Sequence, residues 1–253
     1  MLWEIDGNTG KVVSTTDLGT QIRTAPAARK LASGGDRVFV TVGNGIACIE
    51  SAATNGSAYG AGAPTTERTI KWRMNTTAFV YASPTVSADG ATVFFGPSGD
   101  ASVHALRADT GVPVWTSSSK ALSASTKSAE GALSPDGKAL YVIGQDPSNC
   151  NTLVVSLATD SGAPLWDPNV RPWKGATGSC SFPSALTVDG AGMVWIANGR
   201  GELLGFEPVS GNITRTCSYD ALQGSGYSGG IAIGRDGLMV LVPDNGGILA
   251  VGE

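Results

Sequence analysis

A chain of 253 residues with a formal net charge of −4 and 15% charged residues gives no electrostatic reason to expect nucleic acid or an anionic membrane surface as partner. No apolar run approaches the ~18 residues of a bilayer-spanning helix, and 35 glycines with 13 prolines suit many short strands and turns. With His104 as its only histidine, the chain lacks the parts for a Ser-His-Asp triad or a multi-histidine metal site.

Taken in order, the chain repeats one grammar. Residues 2–6 read as a short apolar strand running into Asp6-Gly-Asn-Thr-Gly10. Similar strands recur at 46–50, 103–107, 153–157, 203–207 and 248–251, and Asp109-Thr-Gly111, Asp160-Ser-Gly162 and Ser210-Gly211 follow three of them. In two units a tryptophan stands four residues past the turn glycine, Trp115 after Gly111 and Trp166 after Gly162. A second landmark is the Asp-Gly pair at Asp89-Gly90, Asp136-Gly137, Asp189-Gly190 and Asp236-Gly237, at spacings of 47, 53 and 47 residues. Each pair separates small and aliphatic residues from a β-rich run (92–95, 139–143, 193–197, 238–242; an earlier relative is 37–42), which is a strong hairpin signal.

Each unit of about fifty residues therefore holds four strands: A, an Asp-Gly turn, B, C, a Thr/Ser-Gly turn, and D. That period and strand count predict an all-β protein, a β-propeller of four-stranded antiparallel blades. A lone sheet of this kind cannot bury both faces, whereas sheets stacked around an axis can. A strand C is present near both termini, and Glu253 aligns with Glu207 and Asp6. The N-terminal unit thus supplies only C and D, and the C-terminal unit only A, B and C. The expectation is one domain over 1–253 with four complete blades and two partial ones, about five to six in all. It is either a ring with one irregular blade or an incomplete arc of a larger propeller with a truncated N-terminus. Residues 52–67, rich in Gly, Ala, Ser and Thr, are expected to form a loop inserted between C and D of the second unit. Long polar D–A connections are expected at 116–126, 167–179 and 218–227.

These residues resemble the pyrroloquinoline-quinone (PQQ) repeat family and its PQQ-like propeller relatives. The family's unit carries Ala-x-Asp-x-x-Thr-Gly-x-x-x-Trp; Ala105, Thr110, Gly111 and Trp115 match it, with Arg107 at the Asp place. Gly162 and Trp166 keep it with Ser156 and Ser161, Asp6, Thr9 and Gly10 keep the turn with Ser14 for Trp, and Ala82-Ser83-Pro84 looks like the family's strand A start. The resemblance covers nearly the whole chain. It implies a propeller in which Trp115, Trp166, Gly111 and Gly162 dock neighbouring blades. Quinoprotein dehydrogenases of the family use PQQ, calcium, adjacent cysteines and a catalytic Asp. This chain has no Cys-Cys pair and no assignable Asp, so no catalytic residue, metal ligand or cofactor is assigned, and PQQ with calcium enters only if the chain is a fragment of such an enzyme.

From the residues alone, Glu130 is a carboxylate in a column of small residues (Ala25, Ser83, Pro183, Gly230) at the start of the axial strand. It is read either as facing the central channel or as a rim carboxylate neutralised by Lys127. Arg23 and Tyr81 share a column two residues earlier and are expected at the same mouth. Cys48 falls within a strand and reads as a small buried residue. Cys150, Cys180 and Cys217 fall in connections on one rim, with Cys150–Cys180 the candidate disulfide and Cys180–Cys217 the competing pair. With the sequons at Asn55, Asn75 and Asn212, they point to an extracytoplasmic or secreted setting, although Met1-Leu-Trp-Glu shows no signal peptide. The function expected is a non-catalytic scaffold binding a protein or small polar ligand on the rim of D–A and B–C connections. A quinoprotein dehydrogenase fragment is the alternative, and a propeller hydrolase with an axial metal a third reading.

Overall fold

The computed structural model describes residues 1–32, 35–51, 68–97, 102–118, 131–145, 152–166, 172–173, 185–198, 200–223, 230–243 and 247–252. The inserted loop expected at 52–67 lies outside them. No helix occurs among the described residues, and every sheet is antiparallel.

β1 (Leu2–Ile5) and β2 (Val12–Thr16) form a two-stranded sheet. Four four-stranded sheets follow: β3 (Ala27–Lys30), β4 (Asp36–Val42), β5 (Gly45–Ser51) and β6 (Arg68–Asn75); β7 (Thr85–Val86), β8 (Thr92–Phe95), β9 (Ser102–Arg107) and β10 (Pro113–Ser118); β11 (Gly131–Leu133), β12 (Ala139–Gln145), β13 (Thr152–Ala158) and β14 (Pro172–Trp173); β15 (Thr187–Val188), β16 (Val194–Ala197), β17 (Arg200–Phe206) and β18 (Ile213–Gln223). A three-stranded sheet of β19 (Ala232–Ile233), β20 (Met239–Leu241) and β21 (Leu249–Val251) ends the chain. Strand order equals chain order in every sheet, as expected of consecutive propeller blades. Four complete and two partial blades match the repeat count read from the sequence.

Local chemistry sets the turns. In the A–B turn, Gly90 and Gly137 adopt φ of 75° and 71°. The carboxylates of Asp89 and Asp136 accept hydrogen bonds from Ser87 and Ser134 hydroxyls and from the backbone N–H of Ala91 and Lys138. Those bonds, the serine hydroxyls first, hold both carboxyls below the usual aspartate range. The fourth unit differs: its left-handed residue is Gly192, at φ 90°, while Asp189 accepts from Ala191 and Met193 N–H and from Trp195 Nε1. In the C–D turn, Gly10, Gly111, Gly162 and Gly211 all sit near φ +70° and donate back to the carbonyls of Asp6, Arg107, Ala158 and Glu207.

The core lies in the seams between sheets. Phe39 and Cys48 of one blade meet Val93, Phe95 and Leu106 of the next; Phe94 and Ala105 meet Leu140, Val155 and Leu157; Tyr141 and Trp166 meet Val194, Leu204 and Phe206; Trp195 meets Ile231 and Leu241. Strands B and C are consequently apolar on both faces. Around the axis, the innermost strands are laced by hydroxyls: Thr41 donates to Ala82 O at 3.2 Å, Thr85 to Gly131 O at 2.8 Å and Thr187 to Ile231 O at 2.7 Å.

Three details depart from the sequence reading. The connection expected at 218–227 begins later, because β18 runs to Gln223 with Ser218 opposite Glu202 and Gln223 opposite Arg200. Cys217 therefore sits in strand D, opposite Leu203, rather than in a connection. The outer edge strand tolerates polar residues, so the Ser-Tyr-Asp stretch read as loop continues the ladder. Likewise β10 extends to Ser118, and β14 occupies two residues of the stretch expected to connect 167–179. At the C-terminus Val251 pairs with Met239 and packs on the preceding blade, as Phe206 does, so Gly252 rather than Glu253 stands in the Glu207 column.

Candidate functional site

The strongest candidate is a cluster of Arg23, Phe79 and Tyr81, where the segment leading into β7 meets the connection before β3. The segment Phe79-Val80-Tyr81-Ala82 alternates: Val80 and Ala82 are buried, Tyr81 is half-buried and Phe79 is 58% exposed. Val80 anchors inward through the apolar seam and through its N–H, which donates to Gly43 O at 2.9 Å. Ala82 O accepts the Thr41 hydroxyl. Alternation along an extended chain then sends Phe79 and Tyr81 to the other side. Their rings lie 6.1 Å apart at 32°.

Arg23 comes from the neighbouring blade. Its position is fixed by the bridge of Ile22 to Val42 and by a short bond between the hydroxyls of Thr24 and Thr41. The guanidinium carbon sits 5.3 Å from the centre of the Tyr81 ring, and Nη1 donates to Tyr81 Oη at 3.3 Å. Nε and Nη2 both donate to Gln21 Oε1, at 3.1 and 2.7 Å. Arg23 and Tyr81, paired by column in the sequence, are thus in contact. Phe79 and Gln21 were not singled out there; the β-period around buried Val80 is the signal that would have found Phe79.

The same connection opens a polar cleft of about 440 Å³, lined by Asp17, Thr20, Asn44, Arg73 and Asn75 among others. Arg73 Nη1 donates to Leu18 O at 2.9 Å, and Asn44 Nδ2 to Thr76 O at 3.0 Å. Cation, aromatic face and amide groups standing side by side suit contact with a polypeptide surface.

Glu130, Lys127, Cys150 and Cys180 lie outside the described residues. His104 is half-buried in β9, its ring stacked on Phe95 at 5.1 Å, with Nε2 2.9 Å from Ser102 Oγ and Nδ1 3.1 Å from Thr116 Oγ1. Cys48 is fully buried, and burial pushes its thiol up to about 12. Among the described residues no three His, Cys, Asp or Glu side chains come together, so that part of the chain offers no carboxylate cage suited to calcium.

The docking residues sit in the seams. Trp72, Trp115 and Trp166 each donate Nε1 to a carbonyl in the next blade's C–D turn: Ala108 O at 3.1 Å, Thr159 O at 2.9 Å and Pro208 O at 2.9 Å. A Cβ on Gly111, Gly162 or Gly211 would stand 2.6 Å from the indole covering it. Bare glycine is what lets the ring lie flat on the turn.

A second cleft, of about 360 Å³, follows the open edge of β1 and is lined by Trp3, Pro26, Ala28, Lys30 and Val38 among others. At its wall Arg68 forms an ion pair with Glu4, Nε to Oε2 at 2.6 Å, and Ser14 Oγ donates to the same carboxylate at 2.7 Å. The Arg68 guanidinium, helped by Ser14 and opposed by burial, holds Glu4 below the usual glutamate range.

Comparison with known proteins bears on the fold and the family. A family model described as outer membrane protein assembly factor BamB matches residues 61–218. The crystal structure of BamB from Moraxella catarrhalis superposes with a TM-score of 0.63 at 14% identity, covering 96% of this chain and 65% of that one. The chain thus spans about two thirds of that protein's length. The computationally designed Ika4 protein aligns over 70% of this chain and 93% of its own at 12% identity, with a TM-score of 0.49. No curated protein matches the sequence.

Proposed function

Since the chain belongs to the outer membrane protein assembly factor BamB family of PQQ-like repeats, we propose that it is a non-catalytic propeller scaffold that binds a protein partner in outer-membrane protein assembly, outside the cytoplasm. The binding surface is the rim of D–A and B–C connections around Arg23, Tyr81 and Phe79. The observation that supports this is the Arg23–Tyr81–Phe79 cluster itself. Arg23 and Phe79 are exposed and Tyr81 is half-buried; buried Val80 and Ala82 position the two aromatics, and the half-buried Ile22 and Thr24 position Arg23. Tyrosine, arginine and large aromatics in fixed rotamers are the side chains that carry most binding energy at protein interfaces. Connections on a rigid sheet scaffold are where recognition concentrates.

Photo-crosslinking from residue 79 in the native cell envelope tests the reading, with residue 209 on the opposite rim as comparison. An adduct with an outer-membrane assembly component at 79 and none at 209 is expected, and R23A/Y81A should reduce its yield at least ~10-fold, the effect of removing a hot spot worth about 1.4 kcal/mol or more. Adducts only at 209, or an adduct at 79 indifferent to R23A/Y81A, would refute it.

A further inference from the structure

The polar cleft beside the rim cluster is held in shape from below. Its walls are residues 17–20, the turn between β4 and β5, and the last residues of β6. Leu18 and Val42, 0% and 4% exposed, anchor two of those walls in the core. Gly43, at φ 52°, donates its N–H to Gln21 O at 3.2 Å, and a Cβ on it would stand 2.8 Å from Thr20 Oγ1. Bare glycine is what lets the segment 17–20 come down onto the turn.

Three polar side chains of the cleft are fixed by one atom and leave another open. Arg73 gives Nη1 to Leu18 O at 2.9 Å, which leaves Nε and Nη2, the paired-donor edge of a guanidinium. Asp17 Oδ1 accepts the Gly19 N–H at 2.9 Å, leaving Oδ2. Asn44 gives Nδ2 to Thr76 O at 3.0 Å, leaving Oδ1. The Asn75 side-chain amide and the Thr20 hydroxyl bond no described residue.

The open set is therefore a donor pair, two fixed acceptors and two groups able to do either, with one positive and one negative charge. That balance sorts ligands. An inorganic anion is drawn to Arg73 and repelled by Asp17, and a metal ion the reverse. An apolar molecule leaves every one of these groups desolvated and unpaired. A zwitterionic amino acid satisfies both charges but carries them on one carbon, which gives Asn44, Asn75 and Thr20 no role. Hydroxyls both donate and accept. Two of them on adjacent carbons can take the donor pair of Arg73 and still have protons to give to Asp17 and Asn44.

From this balance we infer that the cleft binds a neutral saccharide through a pair of adjacent hydroxyls. Its volume of about 440 Å³ falls within the range of small-ligand sites, about 300–1,000 Å³, with space for one or two sugar rings. Among the described residues, Arg23, Tyr81 and Phe79 are not part of its lining. The site therefore stands apart from the protein-binding surface proposed above, and neither depends on the other.

Saturation-transfer NMR on the 253-residue chain tests this, with glucose, galactose, mannose, N-acetylglucosamine, maltose and lactose as probes and glycine and inorganic phosphate as counter-probes. At least one sugar should bind with a dissociation constant at or below ~10 mM, the range that a few hydrogen bonds to a small ligand reach. Asn75→Ala removes a side chain that bonds no described residue, so it should leave the fold intact by circular dichroism and weaken that sugar at least ~10-fold. Arg73→Met should weaken it as much or more; should that variant fail to fold, Asn75→Ala decides alone. No binding by any of the six sugars would overturn the inference. So would sugar binding indifferent to Asn75→Ala, which would put the sugar elsewhere, and so would glycine or phosphate binding where the sugars do not.

Discussion

The seam between the first two sheets and the seams between the later blades solve one packing problem with different chemistry. In the three seams that follow, an indole lies on a Thr/Ser-Gly turn and donates to its carbonyl. In the first seam the tryptophan column, four residues past the turn glycine, holds Ser14, whose hydroxyl joins the Glu4–Arg68 ion pair. β5 and β6 are also separated in sequence by residues 52–67, a longer stretch than the one between β9 and β10. In this seam a polar triad stands where the next three carry an indole. The Asp6–Gly10 turn teaches the complementary lesson. It has the same φ, near +66°, and the same backbone bond to the Asp6 carbonyl as its covered counterparts, with no ring upon it. The turn is thus encoded locally by glycine and main-chain hydrogen bonds, and the tryptophan adds cohesion between blades rather than shape within one.

The largest effect should come from removing an indole. Trp166 is almost fully buried between Tyr141 and Phe206, with ring centroids 5.3 and 6.3 Å away. Trp166→Ala should destabilise the fold by about 3–5 kcal/mol in urea unfolding, and a loss below ~1 kcal/mol would show that the turn contact is ornamental. Next come the glycines. Gly162→Ala places a Cβ 2.6 Å from the Trp115 ring and should cost roughly 2–4 kcal/mol, whereas Gly10→Ala meets nothing and should cost only the left-handed backbone penalty of about 1 kcal/mol. Equal losses in the two variants would mean that backbone conformation alone explains the glycines.

Much of this architecture was legible because its signals are periodic. Asp-Gly and Thr/Ser-Gly spacing located the B and C strands to within a few residues, and the Trp-to-Gly offset located the seam residues. What periodicity could not convey were departures from the unit. The Asp189 turn is one residue shorter, Val188 pairing with Val194 where Val86 pairs with Val93, and its left-handed position is Gly192; the long edge ladder of β18 hides behind polar residues that resemble a connection. The rim was legible in part: Arg23 and Tyr81 share a column and touch, but Phe79 shares its column with Gln21, a residue of different chemistry that gives no signal for an aromatic there. Its exposure follows from Val80 and Ala82 being pinned from neighbouring strands, a contact no spacing reveals. The acceptor role of Glu207, which takes Val209 and Ser210 N–H, was also hidden, since glutamate departs from the motif's Asp while doing its work.

The smallest expected effect separates the two kinds of seam by pH. Glu4 is held below the usual glutamate range by the Arg68 guanidinium first and Ser14 second, with burial opposing them. A carboxyl depressed in the folded state contributes stability that is fully present above its unfolded value of about 4.3 and is lost as pH falls through the folded value. The first seam should therefore weaken in acid while the indole seams, which titrate nothing, do not. Thermal unfolding between neutral pH and pH ~3 should show a falling midpoint, to which other carboxyls such as Asp89 and Asp136 also contribute. The informative comparison is Glu4→Gln. Removing one partner of a largely buried pair should cost about 2–3 kcal/mol at neutral pH, and the gap between variant and unaltered protein should narrow on acidification, because the unaltered protein loses the same interaction by protonation. A gap that stays constant down to pH ~3 would show that Glu4 acts in the seam by packing rather than by charge.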